Sequence, residues 1–353
     1  MTRRELLGAA GAASALLSLK TGYTQPPPAP MRNIGGAPAG FPMRARAGRG
    51  GGQTFDFVEH CHNLGFGVVE TRLPANNPDS IKAFRQKIEA YNMRVILDVG
   101  YPRDAAGVAA FDAAVKAARE CGAISLHAAM TGRRYEDFNT LDEFKRSYAQ
   151  CQNSIALAEP ILRKYQVRLG IENHKGWRSA EQAAWMKRVS SEWVGVHFDF
   201  GNNVSLCEDP SDTLRNLLPY AYACHIKDMA VEPYEDGFLL SEVPLGEGFL
   251  DIKGMVASLR NKDPNIPFDL EMITRDPLKI PVFTDKYWVT FDDSYSPLPG
   301  RDLAHTLEIV RKSKPDSPLP RITGMTPEAQ LKLEDDNILK SVAYARQYLN
   351  APA

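Results

Sequence analysis

Val167-Arg168-Leu169-Gly170-Ile171-Glu172 and, one helical stretch later, Val194-Gly195-Val196-His197-Phe198-Asp199 decide how this chain is read. Each is a short, nearly continuous apolar run that closes on a carboxylate. Such a run signals a strand buried on both faces, as in a parallel sheet covered by helices. The residues between them, 179–190, carry a helical pattern, and a longer helical pattern over 141–165 precedes the first run. The unit is therefore strand, helix, strand.

Working outward, the same unit recurs. Phe55 to Leu64 is amphipathic, Gly65-Phe66-Gly67 breaks it, and Val68-Val69-Glu70-Thr71-Arg72 reads as a strand. A helix near 79–91 leads to Arg94–Val99, and one near 105–121 leads to Ile124–His127. Towards the C-terminus come Ala221–Ile226 and Pro267–Met272. That makes seven strands; the eighth, first in order, is placed at the weak signal around Met31–Phe41. Repeated βα units imply α/β architecture, and eight of them close into a (β/α)8 TIM barrel. No G-x-G-x-x-G follows the first strand, which removes the main support for a dinucleotide-binding sheet.

The 353 residues suffice for one such barrel, which needs roughly 250, with extensions. The expected organisation is residues 1–28 as export signal and Pro-rich linker, 29–315 as the catalytic barrel and 316–353 as a C-terminal helical extension. Thr2-Arg3-Arg4 followed by an Ala/Gly/Leu run to Leu19 has the form of a twin-arginine signal, so an exported, periplasmic location is expected. The run is too short and too rich in Ala and Gly for a stable membrane span. The 42 basic and 43 acidic residues give a net charge of −1, so charge offers no reason to expect a nucleic acid partner. Met43 to Arg49, basic and running into three glycines, reads as a mobile loop. The five cysteines lack metal-site spacing and are expected to be unpaired. A long loop after strand 8, with Tyr287 and Trp288, is expected to form a lid, and 325–349 a terminal helix that covers the barrel or a partner subunit. A homo-oligomer is possible on that ground.

Four strands finish on a metal-ligand residue type: Glu172, Asp199, His225 and Glu271, spaced 27, 26 and 46 residues apart. In a parallel barrel all C-terminal strand ends open on one face, where active sites lie. Any one of these side chains alone is more often a cap or an ion-pair partner. Together, three carboxylates in one barrel mouth repel each other unless a cation holds them. Oxygen-rich donors with one nitrogen suit one divalent metal ion: Mn, Mg, Co or Zn.

Ile171-Glu172-Asn173-His174, His197-Phe198-Asp199, His225-Ile226-Lys227-Asp228 and Asp269-Leu270-Glu271 resemble the motifs of the xylose isomerase-like TIM-barrel superfamily. This group includes sugar isomerases and epimerases, inosose dehydratases and endonuclease IV. The resemblance spans roughly residues 50–312. It implies that Glu172, Asp199, His225 and Glu271 bind the metal and that Glu172 and Glu271 are the catalytic acid/base pair. The implied reaction is isomerisation or epimerisation of a sugar or polyol, by proton abstraction next to a carbonyl through a metal-stabilised enediolate. The implied partner is a small-molecule carbohydrate substrate.

Two positions depart from the ketose 3-epimerases, which place a substrate-binding His at Asn202 and an Arg at Val231. The candidate substrate contacts are His127, His174, Lys175, His197, Asn202, Lys227, Glu247 and Trp288; Glu70 and Asp98 also close strands. Glu247 lies in Gly246-Glu247-Gly248, which resembles a family turn. A keto-sugar or keto-glycoside lyase or dehydratase on the same metal site is the alternative. A non-catalytic sugar-binding protein and an endonuclease IV-like enzyme are weaker ones; Asn202, Phe238 and Leu240 stand where the latter needs metal ligands.

Overall fold

The computed structural model describes residues 28–50, 55–313, 315 and 318–350. The stretch read as an export signal lies outside the described residues, except for Pro28.

Eight parallel strands close into a barrel: β1 (Met31–Gly36), β2 (Phe66–Arg72), β3 (Arg94–Asp98), β4 (Ser125–Ala128), β5 (Leu169–Glu172), β6 (Val194–Asp199), β7 (Ala221–Ile226) and β10 (Phe268–Leu270), which pairs back onto β1. Helices pack outside: α1 (Pro42–Gly50), α2 (Phe57–Asn63), α3 (Pro78–Ala90), α4 (Val108–Glu120), α5 (Arg134–Asp137), α6 (Leu141–Tyr165), α7 (Ser179–Val189), α8 (Pro210–Leu217), α9 (Ile252–Lys262), α10 (Asp285–Trp288), α11 (Gly300–Lys312) and α12 (Pro327–Tyr344). Local chemistry sets several helix starts. Asn77 caps α3 with Pro78 in its first turn, and Thr140 caps α6 by accepting from Glu143 N. The single-domain (β/α)8 expectation holds, with the first strand at Met31–Gly36, inside the stretch that carried only a weak signal.

Inside the barrel, Asp269 on β10 is fully buried, and a Cβ on Gly35 would sit 2.0 Å from its Oδ1. Glycine at 35 is the condition for that acid to fit. Burial, with repulsion from Glu70, raises the Asp269 carboxyl well above the ordinary value. All five cysteines are buried and unpaired, as expected.

One reading is corrected and two features are added. Residues 43–49 are helical rather than a loop: buried Glu334 on α12 accepts from Met43 N and Arg44 N, both at 2.8 Å, and Arg44 pairs with Asp335. A carboxylate 290 residues away thus caps the free amides of α1, which no local pattern announces. After β7 the chain forms an unanticipated antiparallel hairpin, β8 (Asp228–Tyr234) and β9 (Gly237–Val243). The loop after β10 is not structureless either: β11 (Leu278–Ile280) pairs with β9, and Trp288 packs on Tyr287 and Phe291 while donating to Val282 O. Tyr287 is buried and donates to Ser205 O. Trp288 thus packs within its own loop, and Tyr287 reaches across to the chain after β6. Among the described residues, no helix is long and apolar enough to cross a membrane.

Candidate metal and substrate site

The four strand-end residues meet. Glu172 ends β5, Asp199 ends β6, His225 lies near the end of β7 and Glu271 directly follows β10. One donor atom from each lies within 4.8 Å of every other, and all four side chains are buried. His225 Nδ1 is 3.9 Å from Glu172 Oε1, 4.0 Å from Asp199 Oδ2 and 3.7 Å from Glu271 Oε1.

Each candidate ligand is held by a partner. Asn173 acts as a clamp on Asp199: its side-chain oxygen accepts from Asp199 N at 2.6 Å, and its Nδ2 donates to Asp199 O at 2.8 Å. Asp199 Oδ1 accepts from Gly201 N and Asn202 N, which turns Oδ2 towards the site. Asn202 Nδ2 donates to Glu172 Oε1 at 2.8 Å, while Glu172 Oε2 faces His127 Nε2 at 3.2 Å. His127 Nδ1 reaches Asp98 Oδ1 at 2.8 Å. His225 Nε2 lies 2.9 Å from Glu70 Oε2, which fixes the ring and points Nδ1 at the other three candidate ligands.

The electrostatics follow from this crowding. Burial pushes Glu172 up, but His174, His127 and His225 outweigh it and hold the carboxyl well below the usual range. Burial likewise opposes ionisation of Glu271, yet Lys227 and His225 bring it to about 2. For Asp199, burial wins over Lys227, with repulsion from Glu271 and Glu172, and its carboxyl is raised. Lys227 Nζ lies 2.5 Å from Asp199 Oδ2 and also bonds Glu271 Oε2. Burial disfavours charge on His225 and His127, but Glu70 and the surrounding acids raise both well above the ordinary histidine value.

A divalent cation fits these donors. Among the described residues, neither buried His225 Nδ1 nor Asp199 Oδ2 has a hydrogen-bond partner, although Asp199 Oδ2 forms an ion pair with Lys227. Three oxygens and an imidazole nitrogen form the coordination chemistry such an ion takes.

The profile of the xylose isomerase-like TIM barrel matches residues 58–288. The chain belongs to this family. Among curated proteins, the uncharacterized protein YihM of Escherichia coli (strain K12) is 26% identical over 179 residues, 51% of this chain and 51% of that protein. The 3-oxo-isoapionate decarboxylase of Pectobacterium atrosepticum is 28% identical over 109 residues, 30% of this chain and 40% of the enzyme. The match thus spans about half the length of these curated relatives or less. A solved D-psicose 3-epimerase, in the presence of D-fructose, shares the fold with a TM-score of 0.51 at 16% identity, covering 84% of this chain and 93% of that one.

Within this xylose isomerase-like barrel, the structure gathers most of the expected substrate residues at one end. His127, Asn202 and Lys227 touch metal-ligand candidates directly. His174 is tied at Nδ1 to Thr131 O and lowers Glu172 by its charge. Lys175 is buried and donates to Asn202 Oδ1. His197 lies deeper, its ring centroid 4.1 Å from that of His225 and tilted to it, and burial with His225 and His127 holds its pKa well below the ordinary histidine value. Glu247 does not join them: it is exposed and pairs with Lys340 on α12 at 2.9 Å. Its turn has another use. Gly246 N and Gly248 N donate to Asp228 Oδ2, and a Cβ on Gly248 would lie 2.2 Å from Asp228 Oδ1. Trp288 is likewise held in its loop cluster.

Sequence reasoning missed Asn173, Glu242 and Tyr135. Arg275, at the start of the loop after β10, pairs with buried Glu242 on β9 and so ties the hairpin to the chain after β10. Only Asn173 carried a signal, by its place beside Glu172.

Proposed function

We propose that this protein is a metal-dependent sugar or polyol isomerase or epimerase that moves a proton at the carbon next to a carbonyl. One observation carries the reading: Glu172 and Glu271 converge with Asp199 and His225 at one barrel mouth, although β5 and β10 are separated by β6 and β7. A divalent cation held by these four residues would polarise a substrate carbonyl and ease removal of the neighbouring proton.

The chain's own groups manage that proton. Glu271, ionised and bonded by Lys227, takes it or gives it from one side; Glu172 does so from the other. His127 connects Glu172 to Asp98, whose side chain is one-third exposed, and so links the buried acid to solvent. Asn202 keeps Glu172 Oε1 oriented. A barrel shared with D-psicose 3-epimerase supports the fold of such an enzyme. The decarboxylase relative supports a second reading, a lyase in which a bond next to the carbonyl breaks at the same site. Export by the N-terminal segment remains our proposal as well, tested by locating the tagged full chain after fractionation.

The experiment is a panel of keto sugars and keto acids with metal-loaded protein in D2O, read by mass and NMR. Isomerisation gives product of unchanged mass apart from deuterium at the reacting carbon. Loss of water or CO2 moves the assignment to a lyase. Glu172→Gln and Glu271→Gln should each lower turnover by at least a hundredfold. Turnover surviving in either would overturn its role.

A further inference from the structure

Buried cations at this end of the barrel have acids beside them, with one exception. Lys227 lies between Asp199 and Glu271, Arg275 lies on Glu242, and Arg134 reaches Glu181 at 3.0 Å. Lys175 is 3% exposed, and among the described residues its ammonium contacts no carboxylate. Its partner is the neutral amide of Asn202. A buried ammonium with only an amide oxygen is short of a counter-charge.

The backbone confirms that the chain is forced here. Lys175 adopts φ +34°, a left-handed conformation that a long side chain rarely takes. Residues held so are enriched at functional sites. The result is placement: the amide of Asn202 bridges Lys175 Nζ and Glu172 Oε1, so the ammonium lies one side chain from a metal-ligand candidate. A second polar group nearby is unsatisfied. Tyr135 is 1% exposed and its hydroxyl has no hydrogen-bond partner among the described residues. Arg134 N, one residue before Tyr135, donates to Lys175 O at 3.0 Å.

We propose that this end of the barrel takes a polyhydroxy acid, with Lys175 binding its carboxylate and the Tyr135 hydroxyl as a further donor. The inference rests on the carbohydrate reading above and names the charged end of that ligand. A neutral sugar hydroxyl would fill a hydrogen bond but leave the ammonium without a carboxylate in contact. A phosphate ester brings about two charges, whereas one unpaired cation is available, because Arg275 is already bound twice by Glu242. A single carboxylate matches.

The test compares D-gluconate, D-glucitol and D-glucitol 6-phosphate by calorimetry on the full chain loaded with Mn²⁺. These probes share a six-carbon polyol chain and differ at one end. Gluconate should bind at least tenfold tighter than glucitol and tighter than the phosphate. Lys175→Gln should shrink the gluconate preference below threefold, Lys175→Arg should keep most of it, and Tyr135→Phe should weaken gluconate about threefold or more. Thermal melting verifies that each variant is folded. Equal binding of glucitol, tighter binding of the phosphate, no gluconate binding, or a preference that survives in folded Lys175→Gln overturns the proposal. The outcome separates from that of the reaction. Lys175-dependent gluconate binding without deuterium exchange on any keto sugar keeps the acid site and sinks the isomerase; exchange on neutral ketoses without acid preference does the reverse.

Discussion

Glu70→Gln should weaken metal binding about tenfold while leaving Glu172, Asp199, His225 and Glu271 unchanged. Glu70 is 3% exposed and its Oε2 lies 2.9 Å from His225 Nε2. The carboxylate raises the basicity of the ring and fixes which nitrogen faces the site. A hydrogen bond to a charged acceptor contributes about 1.5–3 kcal/mol, and a neutral one about 0.5–1.5. Glutamine retains an acceptor oxygen, so only the difference is lost, about 1–1.5 kcal/mol. At 1.36 kcal/mol per factor of ten, affinity falls about five- to thirteenfold. Glu70→Ala removes the acceptor as well and belongs in the 10–100-fold range found for such partners. The assay is competition for Mn²⁺ or Zn²⁺ against a chromophoric chelator at fixed pH. Glu247→Gln, at an exposed site, is the control and should change affinity less than twofold. If Glu70→Gln and Glu70→Ala both match the wild type while folded, the His225–Glu70 pair does not tune the metal, and the account of the site fails.

Asn173→Leu leaves Asp199 N and O without their buried partner and should destabilise the fold by about 2–4 kcal/mol in urea titration, besides lowering metal affinity; an unchanged midpoint refutes the clamp. Arg134→Met removes a guanidinium that lies 3.8 Å over Phe144 and 4.3 Å over Phe291 and bonds Thr290 and Ser296. It should cost about 3 kcal/mol and speed hydrogen exchange over residues 284–299, and normal protection there would contradict this anchoring. His60, lowered to about 4 by burial and then by Arg44, stays neutral in the folded protein where the unfolded chain protonates near 6.5. Its contribution is intact above pH 6.5 and is lost as pH falls towards 4, by up to about 3 kcal/mol. His60→Gln should flatten that part of the stability profile, and parallel wild-type and variant profiles would exclude it.

How far the sequence reached depends on the range of the interaction involved. Apolar runs such as Val194–Asp199 are buried on both faces by any sheet they join, so strand identity is local, and β6 and β7 fall at the bounds expected. Glu172, Asp199, His225 and Glu271 were legible because a parallel barrel places every strand end on one face, which turns position along the chain into position in space. The helix α1 was not legible. Its first turn is capped by Glu334, and its basic, glycine-flanked sequence has no helical signal of its own. Glu247 misled for the opposite reason: the glycines around it serve Asp228, not the acid between them.

What the sequence determined alone was the repeating strand–helix order and the acids and imidazole that close the strands, since hydrophobic period and residue type are local properties. Only the tertiary structure decided which groups those ligands lean on: Glu70 behind His225, Asn173 around Asp199, Lys227 between two acids, and Lys175 without one. Such pairings span up to 155 residues of chain, and their energies depend on distance and burial, which exist only once the barrel has closed.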